Sequence, residues 1–115
     1  FFDNIEELEK VNILNIGPKL EKNSVFLEGA NIEFATILSD GSIRMKVWER
    51  GAGMTLACGT GACATLVVAN KLNISERKNK IILDGGDLVI NWKENNDVIM
   101  TGKAEKVFDG QFYVK

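Results

Sequence analysis

Residues 48–72 read WERGAGMTLACGTGACATLVVANKL, a glycine-rich loop that leads into an apolar segment. The pattern predicts a helix over residues 61–72, on which no charged side chain occurs before Lys71. Because its side chains are small or apolar all round, we expect this helix to be buried on most sides. Other elements of the fold must then surround it.

The segments on either side of this helix are typical of strands, since they are short and bounded by turn residues. Seven of them are predicted as strands: 31–38, 43–48, 80–83, 88–92, 98–102, 103–108 and 111–114. Near the start of the chain, Asp3 is expected to cap a short helix, and Pro18 to interrupt or begin another. The sequence therefore predicts an α+β fold in which an antiparallel, barrel-like meander wraps around one central helix.

Composition and length exclude several classes of function. The chain has 115 residues, which is typical of one domain, and 14 basic against 16 acidic residues give a net charge of −2. This balance provides no electrostatic surface for nucleic acid or an anionic membrane, so we expect neither as a partner.

The chain contains no histidine and two cysteines. Histidine is the commonest general base and the commonest metal ligand, so acid–base chemistry must here use Cys, Asp, Glu, Lys or Tyr. Two thiols without histidine are too few ligands for a structural zinc site, and we expect no metal.

The cysteine content is also typical of a reduced, intracellular protein, and we expect it to be cytoplasmic. No signal-peptide pattern is visible, and residues 51–70 are too polar for a membrane span. The start at Phe1-Phe2-Asp3, without Met, suggests a piece of a longer protein.

Residues 58–61 combine a thiol with an anion-binding backbone. Cys58 lies just before the predicted helix, where the helix dipole favours a thiolate. Gly59 and Gly61 leave their N–H groups unshielded, and with Thr60 they form a cradle suited to a carboxylate or phosphate. The segment therefore indicates a reactive thiol beside an anion site.

Two charged residues precede this loop. Alternation along strand 43–48 places Glu49 on the same side as the apolar residues, where a carboxylate needs a partner or a function. Arg50 offers a bidentate fork for a carboxylate. Each feature alone has a simpler explanation: Glu49 and Arg50 as a surface ion pair, Cys58 as a packing residue. Their conjunction favours a site, whereas Cys63 is expected to be a packing residue.

The joint motif ERGAG at 49–53 and TLACGTGACA at 55–64 closely resembles the second cysteine motif of the diaminopimelate epimerase family. The stretches NIGPKL at 15–20 and FLEGANIEF at 26–34, together with 84–104, agree with it. The resemblance covers nearly the whole chain but only the C-terminal half of the family's protein. It implies a helix surrounded by strands, in agreement with the pattern above.

The resemblance implies a cofactor-independent isomerase that interconverts LL- and meso-diaminopimelate in lysine and cell-wall synthesis. Two cysteines, one from each domain, flank the substrate α-carbon, and Cys58 matches the C-terminal one. The match assigns substrate binding to five further residues: Gly59 and Thr60 at the carboxylate, Glu49 and Arg50 at the distal end, and Asn31 at another substrate contact. Glu49 is also implied to tune the acidity of the thiol.

The first catalytic cysteine and the Asn-Pro-His segment of the family are absent from this chain. Residues 1–115 are therefore expected to be the C-terminal domain, with the N-terminal domain missing and a homodimer possible. Cys63 does not replace the missing base, because it lies more than one helical turn from Cys58. We expect the isolated chain to be inactive.

The same residues raise three alternative functions. A racemase of the proline racemase type shares a Cys-Gly-Thr-Gly turn but usually lacks the lead-in of residues 49–55. A non-catalytic binding or assembly module is the alternative from another class. A hydrolase with a cysteine nucleophile lacks a histidine partner in this chain.

Overall fold

The computed structural model describes all 115 residues and contains three helices and six strands. The elements are α1 (Ile5–Lys10), α2 (Ile13–Glu21), β1 (Ile32–Ile37), β2 (Ile43–Glu49), β3 (Gly53–Thr55), α3 (Gly59–Lys71), β4 (Lys78–Leu83), β5 (Gly86–Trp92) and β6 (Val98–Gly102). The predicted α+β class is confirmed. No helix is long and apolar enough to cross a membrane.

The strands form one sheet in the order β1-β2-β4-β5-β6, with β3 paired to β2. All pairings are antiparallel except that of β2 with β4, which is parallel. The chain leaves β2 through β3 and crosses back along α3, so β4 returns in the direction of β2. The sheet is therefore mixed, and the expectation of a purely antiparallel meander is wrong at this one pairing.

Helix α3 packs on one face of this sheet and contacts strands from β1 at one edge to β6 at the other. Ala62, Leu66 and Ala69 are fully buried in the main core. Its outer side is open, because Ala64 is exposed and Val68 is 46% exposed. The other residues of 61–70 are buried or half-buried, so the expected burial on most sides is confirmed except along this one stripe.

Helices α1 and α2 cover the opposite face of β1 and β2, where Leu8, Ile13 and Phe34 form a second cluster. The caps are Asn4 and Asn12, whose side chains accept backbone N–H groups, so Asp3 is not the cap.

Pro18 lies inside α2 and neither begins nor interrupts it. Gly17 is buried against the indole of Trp48, and a Cβ there would lie 2.6 Å from ring carbons. We attribute the continuity of α2 to this tertiary contact.

The last two predicted strands do not form. Residues 103–115 are irregular and exposed, and Phe112 is 90% exposed. Alternation alone does not make a strand, because a strand also needs a neighbouring edge and a surface on which to bury its apolar side chains.

Candidate active site

Cys58 is the N-cap of α3. Its backbone is extended (φ −142°), and its Sγ accepts the Gly61 N–H at 3.3 Å. Helix α3 begins at Gly59, two residues earlier than predicted, so residues 59–61 form its first turn. The predicted placement of Cys58 at the helix mouth is confirmed, and the residue is only 8% exposed.

Two further polar groups approach the Cys58 sulfur. The Asn31 Nδ2 lies 3.9 Å away, and the Thr60 Oγ1 lies 3.6 Å away. The Asn31 Oδ1 in turn accepts the Arg50 backbone N–H at 2.8 Å, which fixes the amide orientation. Together with the Gly61 N–H, these groups form a polar environment around the sulfur. Asn31, which is 27 residues away in sequence, is thus brought to Cys58 by the fold.

The first turn of α3 also leaves backbone donors free. The N–H groups of Gly59 and Thr60 precede the helical hydrogen bonds, the first of which runs from Ala62 N–H to the Cys58 carbonyl. A Cβ on Gly59 would lie 2.8 Å from the Met100 Sδ, so a larger residue here would displace the Met100 side chain. These free N–H groups can donate hydrogen bonds to a bound anion.

Glu49 and Arg50 lie at the end of β2 but do not pair with each other. The Glu49 Oε1 accepts the Thr55 hydroxyl at 2.9 Å, which is the partner that its half-buried position needs. The Arg50 guanidinium donates to the Glu28 carbonyl at 3.1 Å. The alternative of a Glu49–Arg50 surface ion pair is therefore wrong. Neither residue makes a hydrogen bond to Cys58.

Sequence reasoning missed Glu33, whose carboxylate lies against the first turn of α3. A Cβ on Gly61 would be 2.6 Å from its Oε1 and 3.1 Å from the Cys58 Sγ. Burial raises the pKa of Glu33, and the charge of Glu49 adds to this. The signal was present, because alternation along β1 places Glu33 on the same face as Ala35, which packs under α3.

The second cysteine differs from the first in its surroundings. Cys63 is half-buried and packs against the main core, so it is less enclosed than expected, although its packing role is as predicted. Burial raises the pKa of the Cys63 thiol, and the nearby Cys58 adds to the shift. A raised pKa makes a thiol less reactive at neutral pH.

Two solved structures with a similar fold are named as phenazine biosynthesis proteins. A Bacillus anthracis phenazine biosynthesis protein of the PhzF family matches with a TM-score of 0.51 and 18% identity, over 72% of this chain and 29% of its own. A putative phenazine biosynthesis PhzC/PhzF protein from Clostridium difficile matches with a TM-score of 0.50 and 16% identity, over 83% and 32%. At this identity the likeness concerns the fold alone.

Relatives of higher identity are diaminopimelate epimerases. That of Phocaeicola vulgatus is 50% identical over 108 residues, which are 93% of this chain and 39% of the relative. That of Acetivibrio thermocellus is 54% identical over 97 residues, or 84% and 35%. That of Bacillus pumilus is 46% identical over 112 residues, or 96% and 39%. The chain thus spans about two fifths of their length. The sequence model of the family described as diaminopimelate epimerase matches residues 1–107, and the chain belongs to this family.

Proposed function

We propose that this chain supplies half of the active site of a cofactor-independent epimerase that interconverts LL- and meso-diaminopimelate. The observation that carries the proposal is the Cys58 sulfur at the N-cap of α3, in a chain of this family. In the proposed step the Cys58 thiolate takes the α-proton. The S–H bond forms as the Cα–H bond breaks, and the electron pair stays on the substrate, delocalised into its carboxylate. A second thiol then returns a proton to the opposite face.

The carboxylate of the substrate is the group that this mechanism must stabilise, because it receives the charge of the broken Cα–H bond. The free N–H groups of Gly59 and Thr60 lie beside Cys58 and suit that task. Asn31, Glu49 and Arg50 lie at the adjacent strand ends. We assign them to the remaining polar groups of the substrate, with Glu49 suited to an ammonium and Arg50 to a carboxylate.

The second base is proposed to come from an N-terminal domain outside this chain. Cys63 is unsuited because it packs on the core and its pKa is raised by burial. The side of the site that this domain would cover exposes apolar residues, among them Leu56 and Met100. We therefore expect the 115 residues alone to be inactive and prone to self-association, and a homodimer of the full-length protein remains a prediction for sedimentation.

The test is solvent deuterium incorporation at the substrate α-carbon. The full-length protein should exchange this hydrogen, whereas its Cys58→Ser variant and the isolated chain should not. Exchange by the isolated chain that disappears in Cys58→Ser would show that one half suffices and would refute the two-domain arrangement.

Labelling distinguishes an epimerase from a binding module, and substrate turnover distinguishes it from another racemase. An aziridine analogue of diaminopimelate should alkylate Cys58 and spare Cys63 in the full-length protein. Equal or absent labelling, with normal reactivity toward iodoacetamide, would favour a binding module. Turnover of proline instead of diaminopimelate would favour a proline racemase-type enzyme.

A further inference from the structure

A carboxylate that has no assigned role lies beside the Cys58 sulfur. Strand β1 pairs Glu33 with Val47 and directs it toward α3, where it touches the first turn at Gly61. The Glu33 Oε1 and the Cys58 Sγ lie 2.6 Å and 3.1 Å from the same point, the Cβ position of Gly61. The carboxylate oxygen and the sulfur are therefore separated by no more than the sum of these two distances, which is within the range of a charge–charge interaction.

Nothing in the chain neutralises this carboxylate. The salt bridges join other residues: Arg44–Asp84, Lys46–Glu9 and Lys106–Asp109. Burial raises the pKa of Glu33, and the charge of Glu49 adds to this. A partly buried charge without a cation destabilises the fold, and such groups cluster at functional sites.

The groups around the sulfur act in opposite directions. The Gly61 N–H and the polar groups of Asn31 and Thr60 favour a thiolate. The negative charge of Glu33 favours the protonated thiol. The other titratable or charged groups of the site are Glu49 on β2, Arg50, whose guanidinium is bound to the Glu28 carbonyl, and Cys63 on α3.

A residue that removes a proton in one direction of a reaction and donates one in the other needs both protonation states within reach. We infer that Glu33 is a positioning residue that opposes the donors around the sulfur and keeps the protonated Cys58 thiol accessible. This inference rests on the proposed function.

The test is the Glu33→Gln variant of the full-length protein, which removes the charge and keeps the shape. The rate of Cys58 alkylation by iodoacetamide at pH 7, followed by peptide mass spectrometry, should rise about three- to tenfold, because a nearby like charge is lost. Turnover of diaminopimelate should fall at the same time. Glu33→Asp, which retains the charge, should alkylate at nearly the native rate.

Glu94→Gln is the matched control, because Glu94 is exposed in the turn between β5 and β6 and should change neither rate. A structural role of Glu33 would lower both alkylation and turnover or change neither, and either outcome would overturn the inference. If the native full-length protein epimerises diaminopimelate and Glu33→Gln leaves the alkylation rate unchanged, this inference alone is overturned. If Glu33→Gln speeds alkylation but the native full-length protein does not epimerise diaminopimelate, the electrostatic effect of Glu33 on Cys58 is supported and the proposed function is overturned.

Discussion

Substitution of Cys58 separates its two roles, as the proposed base and as the N-cap of α3. Cys58→Ala removes the 3.3 Å hydrogen bond to the Gly61 N–H and the packing of a buried sulfur. Loss of a cap costs about 0.5–2 kcal/mol, and loss of one buried heavy atom costs about 1 kcal/mol more. We expect a total loss of about 1–3 kcal/mol, or a fall in Tm of about 4–12 °C for a domain of this size.

Cys58→Ser is the matched variant because its hydroxyl still caps the helix. Its stability should stay within about 1 kcal/mol of the native chain, since only the size and polarity of the cap change. Both variants should lose turnover by at least about 100-fold, the usual contribution of a general base.

Two measurements check this pair. Thermal or urea unfolding of the 115-residue chain, followed by circular dichroism, gives stability, and α-carbon deuterium exchange by the full-length variants gives turnover. Substantial exchange by Cys58→Ser would show that the thiol is not the base. A loss above about 5 kcal/mol in Cys58→Ala would exceed a cap and one buried atom and make Cys58 chiefly structural.

Three further predictions concern single residues. Gly17→Ala should lower the free energy of unfolding by about 1–3 kcal/mol, because the new methyl would lie 2.6 Å from the rigid indole of Trp48. An unchanged urea midpoint of unfolding would contradict this packing. The pKa of Glu33 is raised in the folded chain, so its charge destabilises the fold: the effect is absent below pH 4.5 and develops as the pH rises through the folded pKa. Glu33→Gln should therefore increase the free energy of unfolding at pH 7 but not at pH 4. Equal effects at the two pH values would refute the pKa shift. Iodoacetamide should modify Cys63 only as the pH rises well above neutrality, since its pKa is raised, and modification of Cys63 ahead of Cys58 at pH 7 would contradict that assignment.

The fold was predictable where local pattern and tertiary environment agree. Helix α3 was predicted because an apolar segment without charge is long enough to be helical, and its start was misplaced by two residues because Gly59 and Thr60 are poor helix formers. Its open outer side and the parallel β2–β4 pairing depend on how the layers meet, which no local pattern contains. Pro18 is the reverse case, in which packing overrides a local signal.

The candidate site divides in the same way. Residues 58–61 are adjacent in sequence, so the capped helix mouth was predictable. The fold brings Asn31 to Cys58, and its assignment to the substrate stays a prediction. Glu33 was missed because its relevance depends on a contact with Gly61, 28 residues later. Alternation along β1 indicates its face but not what lies above that face.

The register of the β1–β2 hairpin connects the fold with the candidate site. The Asp40 carboxylate accepts the Ser42 N–H at 2.9 Å and its hydroxyl, which lowers the pKa of Asp40 and fixes the tight turn. This turn sets the pairing of Glu33 with Val47, and a slip of one residue would carry Glu33 to the opposite face of the sheet. The carboxylate and the amide that approach Cys58 are thus positioned by a turn at the far end of the hairpin. The chemistry of the thiol therefore depends on strand pairing as much as on the motif that contains it.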